Sequence, residues 1–177
     1  MDKKNFKLTS RVITVDIALK KVRDNAIIPF YAHGHEDSGL DLFTAAVKYK
    51  KDGQWIEHEG EVYSIQPLET VLVETGVATA IPEGTELQVR PTSGNSLSTM
   101  LRIANSPGTI DSGYRNEIGV IVTNLGDKPI NISLNDKIAQ MVLMPVLHAN
   151  IILVDELNKS KRDKHGYGST GKIKAAK

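Results

Sequence analysis

A lone aspartate and a nearby tyrosine in the segment 105–117, NSPGTIDSGYRNE, could act on a small ligand. A Pro-Gly turn leads to Asp111, and Tyr114 follows three residues later. If Gly108 lies on a tight hairpin, its backbone is exposed to a ligand, because glycine permits close approach to the main chain. Backbone groups and the Asn105 amide could then match the one donor and two acceptors of a uracil ring. The alternative is an ordinary β-turn with a capping aspartate and a core tyrosine.

A second group of residues could bind an anion. Thr92, Ser93 and Gly94 lie in VRPTSGNS, where a strand is expected to end and a short helix to begin. Free amides at a helix start, hydroxyl donors and an unhindered glycine together make a local phosphate site. Simple N-capping by serine or threonine is the alternative.

Two polar residues stand among apolar neighbours, where an unpaired polar group is costly. Asp41 in SGLDLFTA could face a hydrated magnesium ion, or it could tie down a loop. Gln140 in NDKIAQMVLMP could contact a phosphate, or a backbone group could satisfy it. The run His33-Gly-His-Glu-Asp37 resembles a metal cluster, but it lacks a third histidine at helical spacing and is interpreted as a solvated loop.

After Asn158 the sequence becomes KSKRDKHGYGSTGKIKAAK, which is too polar and glycine-rich to form a core by itself. Arg162 could bind a phosphate through two hydrogen bonds, and Tyr167 could stack on a base. The glycines of segment 166–171 would let backbone amides approach phosphates. This composition is typical of a lid over a ligand, and a plain flexible tail is the alternative.

Composition excludes several kinds of protein. The 177 residues contain no cysteine, which excludes disulfides, thiolate catalysis and cysteine-ligated zinc. The net charge is +1 with acids and bases interleaved, so nothing favours a nucleic-acid partner. The first residues lack an apolar signal segment, and no run approaches the ~20 apolar residues of a membrane helix. We expect a soluble, cytoplasmic, single-domain protein with no membrane partner.

Short strands are expected to position these residues, because β-branched apolar runs alternate with turn-forming combinations. The expected strands are Val71–Val73, Val77–Ile81, Leu87–Val89, Ile118–Val122, Ile130–Ile132 and Ile151–Val154. This spacing predicts a barrel or a sandwich-like β fold. One or two turns of helix are expected between Ser93 and Leu101. The charged segment 48–64 is predicted to form a surface hairpin around Lys51-Asp-Gly53.

Five elements in fixed order, SGLDLFTA, RPTSGNS, NSPGTIDSGY, NDKIAQ and HGYGSTG, together resemble the motifs of the trimeric dUTPase (dUTP pyrophosphatase) family. The resemblance implies an all-β, single-domain, jelly-roll-like β-barrel (the dUTPase-like β-clip fold) with one short helix. It implies a homotrimer with shared active sites. Residues 1–158 would form the β domain, with 48–64 as an inserted hairpin, and residues 159–177 a flexible arm closing over the site.

The implied reaction is hydrolysis of dUTP to dUMP and pyrophosphate, which limits uracil incorporation into DNA and supplies dUMP for dTMP synthesis. Asp111 resembles the aspartate that binds the 3′-hydroxyl and orients the water attacking the α-phosphorus, and Gln140 joins it as a catalytic residue. Mg²⁺ is the implied cofactor, held chiefly by the triphosphate, with Asp41 acting through water. The implied substrate-binding residues are Thr92, Ser93, Gly94, Asn105, Gly108, Thr109, Ile110, Tyr114, Gly119, Arg162, Tyr167, Gly168, Ser169 and Thr170.

One departure from the family pattern bears on substrate binding. Thr92 stands where the family usually has arginine, so a phosphate-directed charge must come from elsewhere, with Arg102 and Lys164 as candidates. Two rival functions stay open at this point. One is a dCTP deaminase of the same fold, against which the Asp111 and Tyr114 pair argues. The other is a nucleotide-responsive regulatory protein that binds a partner through segment 48–64.

Overall fold

The computed structural model describes residues 12–160, and this range is built mainly from short β-strands. The strands are β1 (Ala18–Lys21), β2 (Leu40–Phe43), β3 (Ala46–Lys51), β4 (Gln54–Glu57), β5 (Val62–Ile65), β6 (Thr70–Glu74), β7 (Val77–Ala80), β8 (Thr85–Arg90), β9 (Leu101–Ile103), β10 (Gly108–Asp111), β11 (Gly119–Asn124), β12 (Ile130–Ser133) and β13 (Lys137–Pro145). The helices are α1 (Ser93–Ser98) and one 3-10 turn (Gly34–Glu36). The prediction of an all-β chain with one short α-helix is confirmed.

Antiparallel pairing organises these strands into four sheets. Their strand orders are β1-β7, β10-β8-β13-β2, β4-β3-β6-β11-β9 and β12-β5. The second of these is called the site sheet below, because β2, β10 and β13 carry most of the strand residues expected to do chemistry.

The core follows from strand periodicity, because alternate side chains of a strand lie on opposite faces. In β11, Val120 and Val122 are buried, and Ile121 between them is exposed. In β8, Leu87 and Val89 are buried in the same way. Burial of each such side chain contributes roughly 1.5–3 kcal/mol, so the alternating pattern determines which face of each sheet turns inward.

The single α-helix begins where the sequence predicts. Thr92 is its N-cap, and the Thr92 side chain accepts a hydrogen bond from the Asn95 amide at 3.4 Å. The helix ends at Ser98, sooner than the predicted limit, because Leu101 starts β9. None of the helices in residues 12–160 combines the length and apolar character needed to span a membrane.

Strands β3 and β4 form a hairpin around Asp52 and Gly53, whose φ angles are 50° and 83°. Two successive positive φ angles are typical of the tight turns that match the twist of a β-hairpin. The hairpin is narrower than the predicted segment 48–64, because Val62 and Tyr63 belong to β5 and pair with β12 instead.

The predicted strand at Ile151–Val154 is wrong for the chain as described. Residues 148–160 belong to a second unit and contain neither helix nor strand. Ile151 and Leu153 are 88% and 95% exposed. A β-branched run forms a strand only where a neighbouring strand pairs its backbone, so local composition was insufficient here. The division at residues 158 and 159 remains a prediction.

We expect Asn124→Leu to lower the free energy of unfolding by about 2–4 kcal/mol, because it strips three hydrogen bonds from a buried site. Asn124 is fully buried, its side-chain nitrogen donates to the carbonyls of Ile65 and Lys128, and its side-chain oxygen accepts from the Gly126 amide. Chemical denaturation measures the change. Asn131→Ala, at an exposed position of β12, is the control, and equal effects of the two variants would contradict this account.

Candidate active site

The register of the site sheet places the expected acids and amide on one face. Asp41 lies opposite Gln140, and Gln140 lies opposite Arg90. Asp111 lies opposite Glu86, four residues before Arg90 on β8. Because side chains alternate along a strand, all of these point to the same face of the sheet. The other face carries the buried apolar side chains of the core, so the polar face is the one available to a ligand.

Hydrogen bonds order the middle of this polar face. The Arg90 guanidinium donates to the Gln88 side-chain oxygen at 3.0 and 2.6 Å. The Gln88 side-chain nitrogen in turn donates to Glu86 Oε1 at 2.6 Å. This ladder runs along β8 between the rows that contain Gln140 and Asp111.

A cleft of about 190 Å³ opens at one end of the polar face, and it is called the polar cleft below. It brings together four residues that the sequence singled out, namely Asp41, Thr92, Ser93 and Gln140. Its remaining walls are Ala32, His33, Asp37, Ser38, Gly39 and Lys137. The cleft therefore combines hydroxyl, amide and cationic groups, which suit a phosphate chain, with carboxylates, which suit the metal counterion of that chain.

Gln140 is held in the cleft by a backbone partner, as the alternative interpretation allowed. Its side-chain nitrogen donates to the Pro91 carbonyl at 3.0 Å. A Cβ at position 39 would collide with the Gln140 side-chain oxygen, so Gly39 provides the space that Gln140 occupies. Sequence analysis missed Gly39, although its place beside Asp41 in the first motif was a usable signal.

Lys137 is the cation that the sequence analysis overlooked. Its Nζ lies 3.2 Å from Asp41 Oδ2, and its side chain is 48% exposed, so it can also reach a ligand in the cleft. Arg102 is not a substitute for the arginine missing at position 92, because its guanidinium donates to the Thr99 and Leu101 carbonyls and does not line the cleft. Lys164 lies outside the described residues. The signal for Lys137 was its position in the motif NDKIAQ.

The helix start beside the cleft serves mainly as a cap. The Thr92 hydroxyl is occupied by the Asn95 amide, as the capping alternative proposed. Ser93 is exposed at the cleft wall, and nothing lies within 4 Å of where a Gly94 Cβ would stand. A ligand can therefore approach the backbone at Gly94 closely.

The histidine segment contributes to the cleft rather than to a metal cluster. The His33 amide donates to the Asp37 carboxylate at 2.7 Å and this bond, with the His33 side chain, holds the pKa of Asp37 below its ordinary value. Among residues 12–160, no three or more His, Cys, Asp or Glu side chains are grouped to hold a metal ion. Asp37 is thus a second carboxylate, besides Asp41, on the cleft wall.

The segment expected to bind a base forms an edge strand and not a hairpin. Strand β10 pairs with β8 on one side only, and β9 pairs with β11 in another sheet. The outer edge of β10, which includes Thr109 and Ile110, therefore presents backbone groups that the sheet does not use. A Cβ at Gly108 would lie 3.4 Å from the Asn105 side-chain nitrogen, so the Asn105 amide stands beside this edge.

Asp111 ends the edge strand, and Tyr114 follows it in an exposed turn. The Tyr114 amide donates to the Asp111 carbonyl at 3.0 Å, and the Tyr114 hydroxyl donates to the Glu117 carbonyl at 2.9 Å. Tyr114 is 37% exposed and is not a core residue. The aspartate and the tyrosine ring are thus both presented to solvent next to the Asn105 edge.

Within one chain, Asp111 and Tyr114 lie far from the polar cleft. Asp111 and Gln140 lie four rows apart along β8 and two strands apart across the sheet. Strand geometry converts this offset to about 13 Å along and about 10 Å across, so the two backbones are roughly 16 Å apart. The predicted catalytic pair is therefore not brought together within one chain.

The remaining predicted positions divide into two groups. Gly119 lies in β11, where a Cβ would stand 2.6 Å from Leu72 Cδ1, so the structure gives it a packing role. The tail residues Arg162, Tyr167, Gly168, Ser169 and Thr170 lie outside the described residues.

Comparison with known proteins identifies the family. The model of the dUTPase family matches residues 60–171. A protein named deoxyuridine 5'-triphosphate nucleotidohydrolase from Hydrogenobaculum sp. is 44% identical over 155 residues, which cover 88% of this chain and 97% of that protein. A protein of the same name from Clostridium tetani is 40% identical over 156 residues, covering 88% and 97%.

Solved structures agree with this result. A dUTPase of Staphylococcus bacteriophage 80alpha, determined with dUPNHPP, superimposes with a TM-score of 0.74 at 26% identity, covering 89% of this chain and 99% of that chain. A mutant of the same phage enzyme with dUpNHpp gives a TM-score of 0.73 with the same identity and coverage. With a family model over more than half of its length and relatives above 40% identity, this chain belongs to the dUTPase family.

Proposed function

We propose that this protein hydrolyses dUTP to dUMP and pyrophosphate by attack of a water molecule on the α-phosphorus. The observation that carries the proposal is the division of the site sheet into a polar cleft suited to phosphates and an edge strand suited to a base. The relatives' shared name, deoxyuridine 5'-triphosphate nucleotidohydrolase, supports the same substrate. The dUMP formed would supply dTMP synthesis and keep uracil out of DNA.

The edge of β10 would recognise uracil. Uracil presents one N–H donor between two carbonyl acceptors, and the unused backbone groups of the edge with the Asn105 amide provide complementary partners. The exposed ring of Tyr114 would pack against deoxyribose and leave no room for a 2′-hydroxyl. An edge that pairs with its ligand discriminates strongly, because a mismatched base leaves the polar groups of the edge unpaired.

The polar cleft would hold the triphosphate. Lys137 supplies positive charge, and the Ser93 hydroxyl and the Gln140 amide supply donors. The carboxylates of Asp37 and Asp41 fit the water shell of a Mg²⁺ ion, because Mg²⁺ retains several waters and binds oxygen ligands. When bound, Mg²⁺ would neutralise charge on the triphosphate oxygens. The residues of the chain orient the phosphates for in-line displacement.

Asp111 would position the attacking water. Its carboxylate is exposed at the end of β10, beside the tyrosine that would hold the sugar. As the bond from the water oxygen to the α-phosphorus forms, the water gives a proton to the Asp111 carboxylate, the bond from that phosphorus to the bridging oxygen breaks, and pyrophosphate leaves. A charged carboxylate polarises water more strongly than a neutral amide, which makes Asp111 the residue on which turnover depends.

The active site would be assembled from several copies of the chain. Asp111 and Gln140 of one chain are not placed against the same phosphate group, because their backbones are roughly 16 Å apart on the same sheet face. A homotrimer would bring the edge strand of one subunit to the polar cleft of the next. Residues 159–177, with Arg162 on the γ-phosphate and Tyr167 over uracil, would close the site as an arm. The exposed apolar run Ile151–Val154 supports contact of this region with another subunit.

We expect pyrophosphate release from dUTP to be at least ~100-fold more efficient, in kcat/KM, than from dCTP or UTP, since mismatched ligands leave polar groups unsatisfied. The measurement is a coupled pyrophosphate assay with Mg²⁺ over dUTP, dCTP, dTTP and UTP. Ammonia release from dCTP is measured in parallel. Efficient deamination of dCTP, or comparable hydrolysis of dCTP and dUTP, would replace the proposal with the deaminase function.

We expect Asp111→Asn and Gln140→Ala each to lose most turnover when tested alone. When the two variants are mixed as exchanging subunits, about one quarter of the sites of a cyclic trimer should combine an intact Asp111 with an intact Gln140 from different chains. Activity should therefore return towards that fraction. Native mass spectrometry verifies that mixed trimers form. Mixed trimers without recovered activity would show that each chain uses its own Asp111 and Gln140.

We expect Lys137→Met to raise the KM for dUTP about tenfold or more, because it removes the only lysine or arginine side chain on the described walls of the polar cleft. The KM of the wild type should rise with increasing salt, since ionic strength screens the partly exposed charge of Lys137. The difference in KM between the wild type and Lys137→Met should therefore become smaller. Lys128→Met, on a surface turn outside the cleft, is the matched control. Equal KM values for the two variants would remove Lys137 from the phosphate site.

A further inference from the structure

We propose that Arg23 is a positioning residue that ties the turn carrying Asp111 and Tyr114 to the β3–β4 hairpin. The inference rests on the proposed function, because it assigns Arg23 an effect on how Tyr114 meets the sugar. Arg23 lies in none of the five sequence motifs and lines neither the polar cleft nor the β10 edge.

Arg23 binds two carboxylates from separate parts of the chain. Its Nε donates to Glu117 Oε1 at 2.6 Å. Its two terminal nitrogens donate to the two oxygens of Glu57, at the end of β4, at 2.7 and 2.9 Å. Only arginine has the fixed, planar set of donors that can make a paired contact with one carboxylate and a third bond to another. Arg23 and Glu117 are largely buried, with side-chain exposures of 21% and 17%.

Glu117 connects this ion pair to the tyrosine. Its carboxylate accepts a second hydrogen bond, from the Gly76 amide at 2.7 Å, so the residue is held from two directions. Its backbone carbonyl accepts the Tyr114 hydroxyl at 2.9 Å. Tyr114 is otherwise an exposed side chain, so this carbonyl is the contact that orients its ring in the described chain.

The charges around Arg23 make its removal consequential. Lys48 Nζ lies 2.6 Å from Glu74 and 3.9 Å from Glu57. Lys48 is thus engaged mainly by Glu74 and cannot replace Arg23. Without Arg23, the carboxylates of Glu57 and Glu117 would lose their shared cation. Each side chain would then move towards solvent, because an unpaired charge is costly to keep away from water. The raised pKa of Arg23 and the lowered pKa of Glu57, both caused first by their mutual hydrogen bond, agree with this pairing.

These contacts form a continuous link from the hairpin to the sugar site. The link runs from Glu57 through Arg23 and Glu117 to the hydroxyl of Tyr114. Displacing Glu117 would release the Tyr114 ring, which would then exclude a 2′-hydroxyl less effectively. Loss of Arg23 should therefore lower the ratio of kcat/KM for dUTP to kcat/KM for UTP more than it lowers kcat/KM for dUTP itself.

The first experiment measures kcat/KM for dUTP and UTP in Arg23→Met, Arg23→Lys and Glu57→Gln. We expect Arg23→Met to lower the dUTP to UTP ratio about tenfold. Arg23→Lys should restore only part of it, because one ammonium cannot reproduce the paired contact with Glu57 together with the bond to Glu117. Glu57→Gln should shift the ratio in the same direction by about threefold. Glu59→Gln, an exposed acid beyond the end of β4, is the control and should leave the ratio unchanged.

The second experiment uses the only tryptophan of the chain, Trp55, as a probe on the hairpin. Trp55 lies two residues before Glu57 on β4, hence on the same strand face, and it is 51% exposed. Binding of dUpNHpp, measured independently by calorimetry, should change Trp55 fluorescence in the wild type and in Glu59→Gln. The change should be lost in Glu57→Gln while binding persists. The full-length protein with Mg²⁺ is used throughout.

The outcomes separate the two proposals. Absence of dUpNHpp binding to the wild type would overturn the proposed function. Normal binding, with the dUTP to UTP ratio and the Trp55 response unaltered in Glu57→Gln and Arg23→Lys, would overturn the role of Arg23 alone. If Arg23→Met does not fold, the other two variants decide the question. Glu57→Gln retains the ion pair of Arg23 with Glu117, and Arg23→Lys retains a positive charge at position 23.

Discussion

The antiparallel register of β8 between β10 and β13 is the constraint on which the rest of the site depends. It turns Leu87 and Val89 into the core and leaves the alternate positions of β8 for a polar ladder. A shift of one residue would exchange these two faces and bury charge. The same register separates Asp111 from Gln140 by four rows along β8 and by two strands across the sheet.

Two groups of ion pairs stand on this framework. Asp41 pairs with Lys137 in the polar cleft, and Arg23 pairs with Glu57 and Glu117 beneath the tyrosine turn. The two arrangements differ in their exposure. Lys137 stays partly in solvent and can serve a ligand, whereas Arg23 and Glu117 are largely buried and, in our proposal, hold backbone in place.

The family assignment and the geometry support each other from independent directions. The comparisons identify a dUTPase without saying how this chain compensates for threonine at position 92. The polar cleft carries the positive charge of Lys137, which enters it from β13 rather than from the helix start. In the proposed function, this charge would offset the one that threonine leaves missing at position 92.

Local patterns in the sequence were sufficient for several strands, for one tight turn and for the family. Alternation of apolar residues determined β8 and β11, and the residues Asp52 and Gly53 determined a tight turn, because both signals act over a few neighbouring positions. The ordered motifs also indicated Asp111, Tyr114 and Gln140 as site residues. These features depend on side-chain type and spacing, which are printed in the sequence itself.

Only the tertiary structure decided how these pieces meet. It made residues 108–111 an edge strand and not a hairpin, and it left Ile151–Val154 without a strand, because strand pairing depends on distant partners. It also brought Arg23 to Glu57 and Glu117, which stand 34 and 94 residues away. Long-range contacts of this kind leave no periodic signal in one sequence, since each partner alone has the composition of an ordinary surface charge.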